Sequence, residues 1–170
     1  MIQKVWLISL VVLLSACGYK PTSVYTKKVL GEQIYVKVET SLEDPENSVL
    51  IRDAVNEAVI YKFNAKIADE KSASAKLFVT LKHVDFQPIE YDSNGYVIAY
   101  KTNVTLLVGY HDKYKKRKAL KTYGDFDFNI ASNSVISDTK RFNAIKEASQ
   151  KAIDAFISRI SVEGVNDDHK

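Results

Sequence analysis

The chain has 170 residues, a formal net charge of +3 at pH 7, one cysteine and six glycines. So small a charge favours no particular class of partner, and one cysteine excludes an internal disulfide and a cysteine-based metal site. Six dispersed glycines cannot build the glycine-rich loop that cradles nucleotide phosphates. The ten tyrosines are more informative, because tyrosine is enriched where one protein surface meets another.

The N terminus has the pattern of an export signal. Lys4 precedes a ten-residue apolar run, Val5 to Leu14, which is too short to span a bilayer. The sequence Leu14-Ser15-Ala16-Cys17 resembles the lipobox of bacterial lipoproteins. Cleavage before Cys17 would make residues 1–16 the signal peptide. The similarity implies a diacylglyceryl group on the Cys17 thiol and an acyl group on its amine.

Lipidation of this kind would hold the protein at a membrane. Each buried CH2 contributes about 0.8 kcal/mol, so one acyl chain binds marginally whereas two or more anchor stably. Gly18 follows the cysteine, where an aspartate would favour retention in the inner membrane in bacterial lipoproteins. The similarity therefore implies sorting to the outer membrane. No second apolar stretch has the length needed to cross a bilayer.

The remainder is predicted to form one domain with two flanking segments. Residues 17–32 lack sustained periodicity and are interpreted as a leash between the lipid and the fold. Residues 33–164 are long enough for a single α+β domain, and the polar residues 165–170 are interpreted as a disordered tail. The domain begins with a strand whose apolar residues alternate: Ile34, Val36 and Val38.

A helix is predicted after this strand. Asp44 suits the N-cap and Pro45 suits the first turn. Apolar residues recur at helical spacing as far as about residue 65: Ile51, Val55, Ala58, Val59 and Phe63. An amphipathic helix must pack its apolar side against another element, and a sheet is the expected partner.

Three strands are predicted next. Alternating apolar residues begin at Leu77, and Pro88 marks an edge, a bulge or the end of that strand. The pair Asn94-Gly95 predicts a hairpin, because Asn-Gly adopts the positive φ angles of tight turns. A strand of about fifteen residues follows, ending at Tyr110. A basic turn then leads into the last strand, which ends near Ile130.

A second helix completes the pattern. Ser137 or Asp138 suits its N-cap, and Gly164 suits its C-terminal end. Its apolar stripe is Phe142, Ile145, Ala148, Ala152, Phe156 and Ile160. The order strand, helix, three strands, helix predicts an α+β fold in which two helices pack on one face of a four-stranded, mostly antiparallel sheet.

Polar pairs in the strands give little support for catalysis. Each pair lacks a third group at a recognisable metal-ligand spacing, and no nucleophile elbow occurs in the sequence. The pairs are His83 with Asp85, His111 with Asp112, and Asp125 with Asp127. A solvated strand face explains them better than a metal site or an acid/base pair. The chain is therefore predicted not to be an enzyme, and no cofactor is expected beyond the acyl groups on Cys17.

Two surface features are candidate binding sites. The first is the basic turn, whose cations are Lys113, Lys115, Lys116, Arg117 and Lys118, with Lys121 close by. These cations either meet phosphates of a lipid head group or of lipid A, or keep the end of the sheet soluble and unpaired. Nucleic acid is excluded as a partner because the chain carries an export signal.

The second feature is the hairpin around Asn94, with Tyr91 and Tyr96 beside it. If these strands extend beyond the helices, their aromatic side chains face solvent or a partner. The alternative is that Tyr96 and Tyr100 simply continue the core face, which is the favoured interpretation for Tyr100.

The start of the mature chain, Cys17-Gly18-Tyr19-Lys20-Pro21, and the order of elements resemble the LPS-assembly lipoprotein family, LptE, also called rare lipoprotein B. The resemblance implies two helices on a four-stranded sheet. It implies a lipoprotein on the periplasmic side of the outer membrane or in the lumen of the LptD β-barrel, which it plugs and helps to mature. The barrel delivers lipopolysaccharide or lipooligosaccharide to the outer leaflet. Tyr91, Asn94 and Tyr96 would then contact the barrel, and the basic turn would contact glycolipid phosphates.

An alternative from another class is a periplasmic adaptor lipoprotein. Such a protein activates a cell-wall synthase or serves a lipid-export ABC system. It must reach toward the inner membrane and needs a long tether for that purpose. The short leash predicted here favours the plug.

Overall fold

The computed structural model describes residues 21–39 and 45–166. Three helices and five strands occur in this part of the chain. In order they are α1 (Thr22–Leu30), β1 (Gln33–Glu39), α2 (Pro45–Tyr61), β2 (Lys66–Ile67), β3 (Ala75–Tyr91), β4 (Val97–His111), β5 (Arg117–Asn129) and α3 (Asp138–Asn166).

The strands form one mixed sheet in the order β2-β1-β3-β4-β5. β1 is parallel to β2 and β3, whereas β3, β4 and β5 form an antiparallel meander. The predicted α+β class is confirmed. The prediction of four strands and two helices is wrong in detail, because α1 and β2 are also present. β2 has two residues, too few to produce a periodic pattern.

α1 occupies most of the segment that was interpreted as a leash. Thr26, Val29 and Leu30 are buried in it, and Gly31, with φ of +77°, ends the helix by donating its N–H to the carbonyl of Lys27 at 2.8 Å. The leash interpretation is therefore wrong for Thr22–Leu30. α1 has only nine residues, and its buried residues lie near its C-terminal end. It therefore has too few turns to show a helical period of apolar residues in the sequence. Cys17 lies outside the described residues.

The core lies between one face of the sheet and the helices. Apart from Phe142, which is partly buried, the residues of the predicted stripes in and just beyond α2 and in α3 are buried. They are Ile51, Val55, Ala58, Val59, Phe63, Ile145, Ala148, Ala152, Phe156 and Ile160. Phe156 packs edge-to-face on Phe63 and Tyr110, with ring centroids 6.4 and 5.6 Å apart. The helices thus cover one face of the sheet, and we call the other the open face.

A β-bulge in β3 preserves this arrangement. The apolar residues change parity between Leu81 and Val84, and the register with β4 shifts between Leu81 and His83. One extra residue at Lys82 therefore keeps both apolar sets on the helix-covered face. Pro88 remains within β3 on a free edge, because β1 pairs only as far as Thr80, and a second irregularity follows it. The edge and bulge interpretations of Pro88 are both confirmed.

The long strand β4 sets the two ends of the molecule. Its 15 residues span roughly 48 Å at about 3.4 Å per residue. We call the hairpin before it, residues 91–96, the tip, and the turn after it, residues 112–118, the basic turn.

α3 begins near the tip and ends near the basic turn, and it continues to Asn166. The prediction that Gly164 stops this helix is therefore wrong. Among the described residues, no helix is long and apolar enough to span a membrane.

Candidate functional site

The tip is a hairpin turn fixed by an aspartate. The N–H of Asp92 donates to the carbonyl of Tyr96 at 2.9 Å, and its carboxylate accepts the N–H groups of Asn94 and Tyr96 at 2.9 Å each. Gly95 has a φ of +84°, whereas Asn94 does not have a positive φ. The prediction of two positive φ angles is thus wrong for Asn94, because this three-residue hairpin needs one left-handed residue only.

The basic turn repeats the same hydrogen-bonded frame at the other end of β4. Asp112 donates its N–H to the carbonyl of Lys116 at 3.1 Å, and its carboxylate accepts the N–H groups of Tyr114 and Lys116 at 2.9 Å each. The left-handed position is held by Lys115, with φ of +62°. A side chain there costs roughly 1–2 kcal/mol relative to the right-handed conformation.

The structure divides the cations of the basic turn into two groups. Lys113, Lys115 and Lys116 are exposed at its apex, where Tyr114 is 63% exposed. The ammonium group of Lys113 lies 5.0 Å from the centre of the Tyr114 ring. This apex therefore offers three cations and one aromatic side chain to a partner.

The other two cations are engaged within the protein. Lys118 is partly buried, forms an ion pair with Glu163 and lies 4.0 Å from the carboxylate of Asp112. Arg117 donates its Nε–H to Nε2 of His111 at 3.0 Å. Lys118 is thus largely neutralised, whereas Arg117 keeps its remaining donors on the open face.

Glu163 joins the end of α3 to this turn. Besides Lys118, it accepts a hydrogen bond from the hydroxyl of Tyr110 at 2.8 Å. Burial, and next the charge of Asp112, raise the pKa of Tyr110 above its ordinary value. Glu163 therefore connects α3 to both β4 and β5 directly beneath the basic turn.

Exposed apolar side chains occur at the tip, just before it in β3 and in the loop before α3. They are Ile89, Tyr91, Tyr96 and Val135. The hydroxyl of Ser132 donates to the Asp92 carboxylate, and this bond, followed by the N–H of Tyr96, lowers the pKa of Asp92. The tip is thereby fastened to the loop before α3.

Tyr96 and Tyr100 have different surroundings. Tyr96 is 46% exposed, so the core interpretation is wrong for it. Tyr100 is partly buried and stacks on Phe128, with centroids 6.0 Å apart and planes 22° apart. Tyr100 therefore belongs with the aromatic end of the helix-covered face, as favoured from the sequence.

The residues of the polar pairs in the strands contact neighbouring polar side chains on the open face or belong to turns. Nε2 of His83 lies 3.3 Å from the Asp85 carboxylate, and Lys101 lies 3.3 and 3.0 Å from Asp125 and Asp127. The hydrogen bonds that Lys101 donates to Asp127 and then to Asp125 raise the pKa of Lys101. Within the described residues, no group of three or more His, Cys, Asp or Glu side chains is arranged to hold a metal ion.

An apolar depression on the open face escaped the sequence analysis. Phe78, Gly109 and Ala119 form one row across three strands, and the two small residues leave a hollow of about 430 Å³ beside Phe78. Arg117 and His111 lie on its rim. The sequence feature that produces this depression is a glycine paired with an alanine on the neighbouring strand. That pairing can be recognised only once the register of the strands is known.

Comparison with known proteins decides the family. Residues 22–160 match the family model of LptE, described as lipopolysaccharide-assembly. The chain belongs to this family. The resemblance noted from Cys17–Pro21 and the element order is thereby confirmed. No curated protein sequence matches the chain significantly.

Solved structures share the fold. Rare lipoprotein B from Shewanella oneidensis has 16% identity and a TM-score of 0.53, with 81% of this chain and 100% of that chain covered. A protein from Caulobacter crescentus CB15 has 9% identity and a TM-score of 0.56, with 86% and 96% covered. A protein from Xanthomonas campestris has 10% identity and a TM-score of 0.53, with 82% and 88% covered. At such low identity these likenesses concern the fold alone.

Proposed function

We propose that the protein is an outer-membrane lipoprotein that plugs the lumen of the LptD β-barrel, helps that barrel to mature and supports delivery of lipopolysaccharide or lipooligosaccharide to the outer leaflet. The match to the lipopolysaccharide-assembly family over residues 22–160 carries this proposal. The role is one of assembly and recognition, without a catalytic step.

The tip supports the plug hypothesis. Tyr91 and Tyr96 are 57% and 46% exposed on a hairpin that Asp92 holds through three hydrogen bonds from its own turn and from Ser132. A barrel lumen is polar, and tyrosine presents an apolar ring with a hydrogen-bonding tip. We assign the barrel contact to Tyr91, Asn94 and Tyr96.

The anchor supports a position close to the membrane. Cys17 precedes Pro21, the first described residue, by four positions, which allows a reach of roughly 14 Å. The diacylglyceryl and N-acyl groups on Cys17 would hold the folded body at the periplasmic side of the outer membrane. An adaptor that reaches toward the inner membrane needs a much longer tether, and α1 removes most of the leash that was expected.

The depression beside Arg117 supports contact with a glycolipid. Its floor is apolar and suits an acyl chain, and the guanidinium at its rim suits a phosphate through charge-assisted hydrogen bonds. Five cations of the basic turn were predicted to contact lipopolysaccharide phosphates: Lys113, Lys115, Lys116, Arg117 and Lys118. We assign this contact to Arg117, because Lys118 is paired with Glu163 and the three lysines at the apex do not line the depression.

Copurification tests the proposal. Protein extracted in mild detergent should recover a large β-barrel in stoichiometric amount. Tyr91→Asp with Tyr96→Asp should reduce that recovery, because carboxylates replace both aromatic contacts. Tyr61→Asp is the matched control, since Tyr61 is 77% exposed and lies at the end of α2, outside the tip. Recovery of a cell-wall synthase instead of a barrel would overturn the plug in favour of the adaptor.

A further inference from the structure

The chain leaves the fold toward Cys17 at the same end as the basic turn. The N–H of Lys113 donates to the carbonyl of Val29 in α1 at 2.9 Å. α1 has nine residues and is therefore about 13 Å long. The whole helix thus lies beside the basic turn and the end of α3, whereas the tip is at the opposite end of β4.

The apex of the basic turn, residues 113–116, has the composition of a membrane interface. Lys113, Lys115 and Lys116 are exposed around Tyr114. Tyrosine is enriched at the level of lipid head groups, where its ring is buried and its hydroxyl stays hydrated. Lysine places its charge at the same level while its methylene chain lies along apolar surface. Together they fit an anionic bilayer surface.

The backbone of the apex holds Lys115 in a conformation that is unusual for a residue with a side chain. Gly95 and Lys115 hold the same position in two turns with the same hydrogen bonds, and both have positive φ. Glycine adopts this conformation without steric cost. Lys115 therefore carries a backbone strain that glycine would avoid, and a contact made by its exposed charge would account for a lysine at this position.

We propose that the apex of the basic turn lies against the anionic phospholipid head groups of the leaflet that holds the Cys17 acyl chains. This inference rests on the lipid anchor of the proposed function. It gives the protein a fixed orientation, because anchor and cations attach the same end. The apex then lies at the periplasmic mouth of the barrel, and the tip, at the opposite end of β4, extends into the lumen.

The absence of tryptophan from the predicted mature chain permits a direct test. The one tryptophan, Trp6, lies in the predicted signal peptide, so Tyr114→Trp introduces a unique fluorophore at the apex. The lipidated protein is reconstituted into phosphatidylcholine vesicles with or without phosphatidylglycerol, with lipids brominated near the head group as quenchers. A blue shift and quenching that require phosphatidylglycerol are expected. Tyr96→Trp, at the tip, is the matched control and should remain unshifted and unquenched.

Charge reversal and a glycolipid arm complete the test. Lys113→Glu, Lys115→Glu and Lys116→Glu in the Tyr114→Trp background should abolish the quenching, and the three Gln substitutions should reduce it. If lipopolysaccharide in the vesicles shifts the emission and phosphatidylglycerol does not, the phospholipid assignment is overturned. A protein that floats with vesicles but shows a solvent-exposed fluorophore overturns this inference alone. A processed protein that does not float overturns the lipid anchor and with it the proposed function.

Discussion

Gly164 of α3 lies directly against the backbone carbonyl of Tyr25 in α1. A Cβ atom at residue 164 would lie 2.4 Å from that oxygen, so the two helices meet backbone to backbone. The glycine is required by this close approach, since α3 continues past it to Asn166. This contact holds α1 on the fold and sets where the chain departs toward Cys17.

Gly164→Leu should therefore destabilise the protein. The added side chain must displace α1, at an expected cost of about 1–3 kcal/mol in the free energy of unfolding, measured by urea denaturation. Hydrogen exchange at the amides of Val29 and Leu30 should also accelerate. Val162→Leu is the control on the same turn of α3, because Val162 is 62% exposed and a surface change costs little. Equal midpoints for the two variants would contradict the contact.

The sequence was sufficient wherever burial repeats with a regular period. The stripes of α2 and α3 and the fifteen residues of β4 are examples, because one-sided burial over several turns leaves a strong pattern. α1 and β2 are too short to leave one. The role of Gly164 is likewise not visible in the sequence. Glycine often ends a helix, but here it allows close contact with α1, which is far away in the sequence.

The candidate site was predictable in composition but not in arrangement. The hairpin with its tyrosines and the basic turn follow from local sequence, whereas the exposure of Tyr96 is one of two alternatives that the sequence leaves open. The neutralisation of Lys118 does not, because its partner Glu163 is 45 residues away. The depression beside Phe78 depends likewise on the register of three strands. Such features arise from long-range pairing, which no local pattern encodes.

The left-handed residue of the basic turn gives the second prediction. Lys115→Gly should raise the free energy of unfolding by up to about 1 kcal/mol, because glycine relieves the positive φ while the unfolded chain gains some freedom. Lys116→Gly removes the same charge at a position without positive φ and should lower stability. Denaturation of the two variants side by side makes the comparison. A loss of stability in both would show that Lys115 is not strained.

The fastening of the tip gives the third prediction, which concerns pH. The folded-state pKa of Asp92 is lowered below its ordinary value of 3.8. Its contribution to stability is therefore fully present above that value and is lost as pH falls through the lower, folded-state pKa. Ser132→Ala removes the largest cause and should raise the Asp92 pKa toward 3.8, as followed by NMR titration of the carboxyl carbon.

A matched variant checks the assignment at the tip. Ser134→Ala removes a hydroxyl in the same loop that bonds only the carbonyl of Ala131 in the described structure, and it should leave the Asp92 titration unchanged. A Ser132→Ala protein with an unaltered Asp92 titration would assign the shift to the turn amides alone.

The hydroxyl of Tyr110 gives the last prediction. Tyr110 is 2% exposed and donates to Glu163, so Tyr110→Phe should lower the free energy of unfolding by about 1.5–3 kcal/mol, the usual range for a hydrogen bond to a charged group. Tyr123→Phe, at a residue that is 61% exposed, is the control and should change little.

The same residue adds an alkaline signature. Because the folded-state pKa of Tyr110 is raised above 10.0, its contribution is fully present below pH 10 and is lost as the pH rises from there through the higher, folded-state pKa. The wild-type protein should therefore lose stability above pH 10 more steeply than Tyr110→Phe, which has no phenol at this position to ionise. Urea midpoints measured on both sides of pH 10 provide the comparison. Parallel pH profiles would mean that Tyr110 ionises as freely in the folded protein as in the unfolded chain, which would contradict the raised pKa.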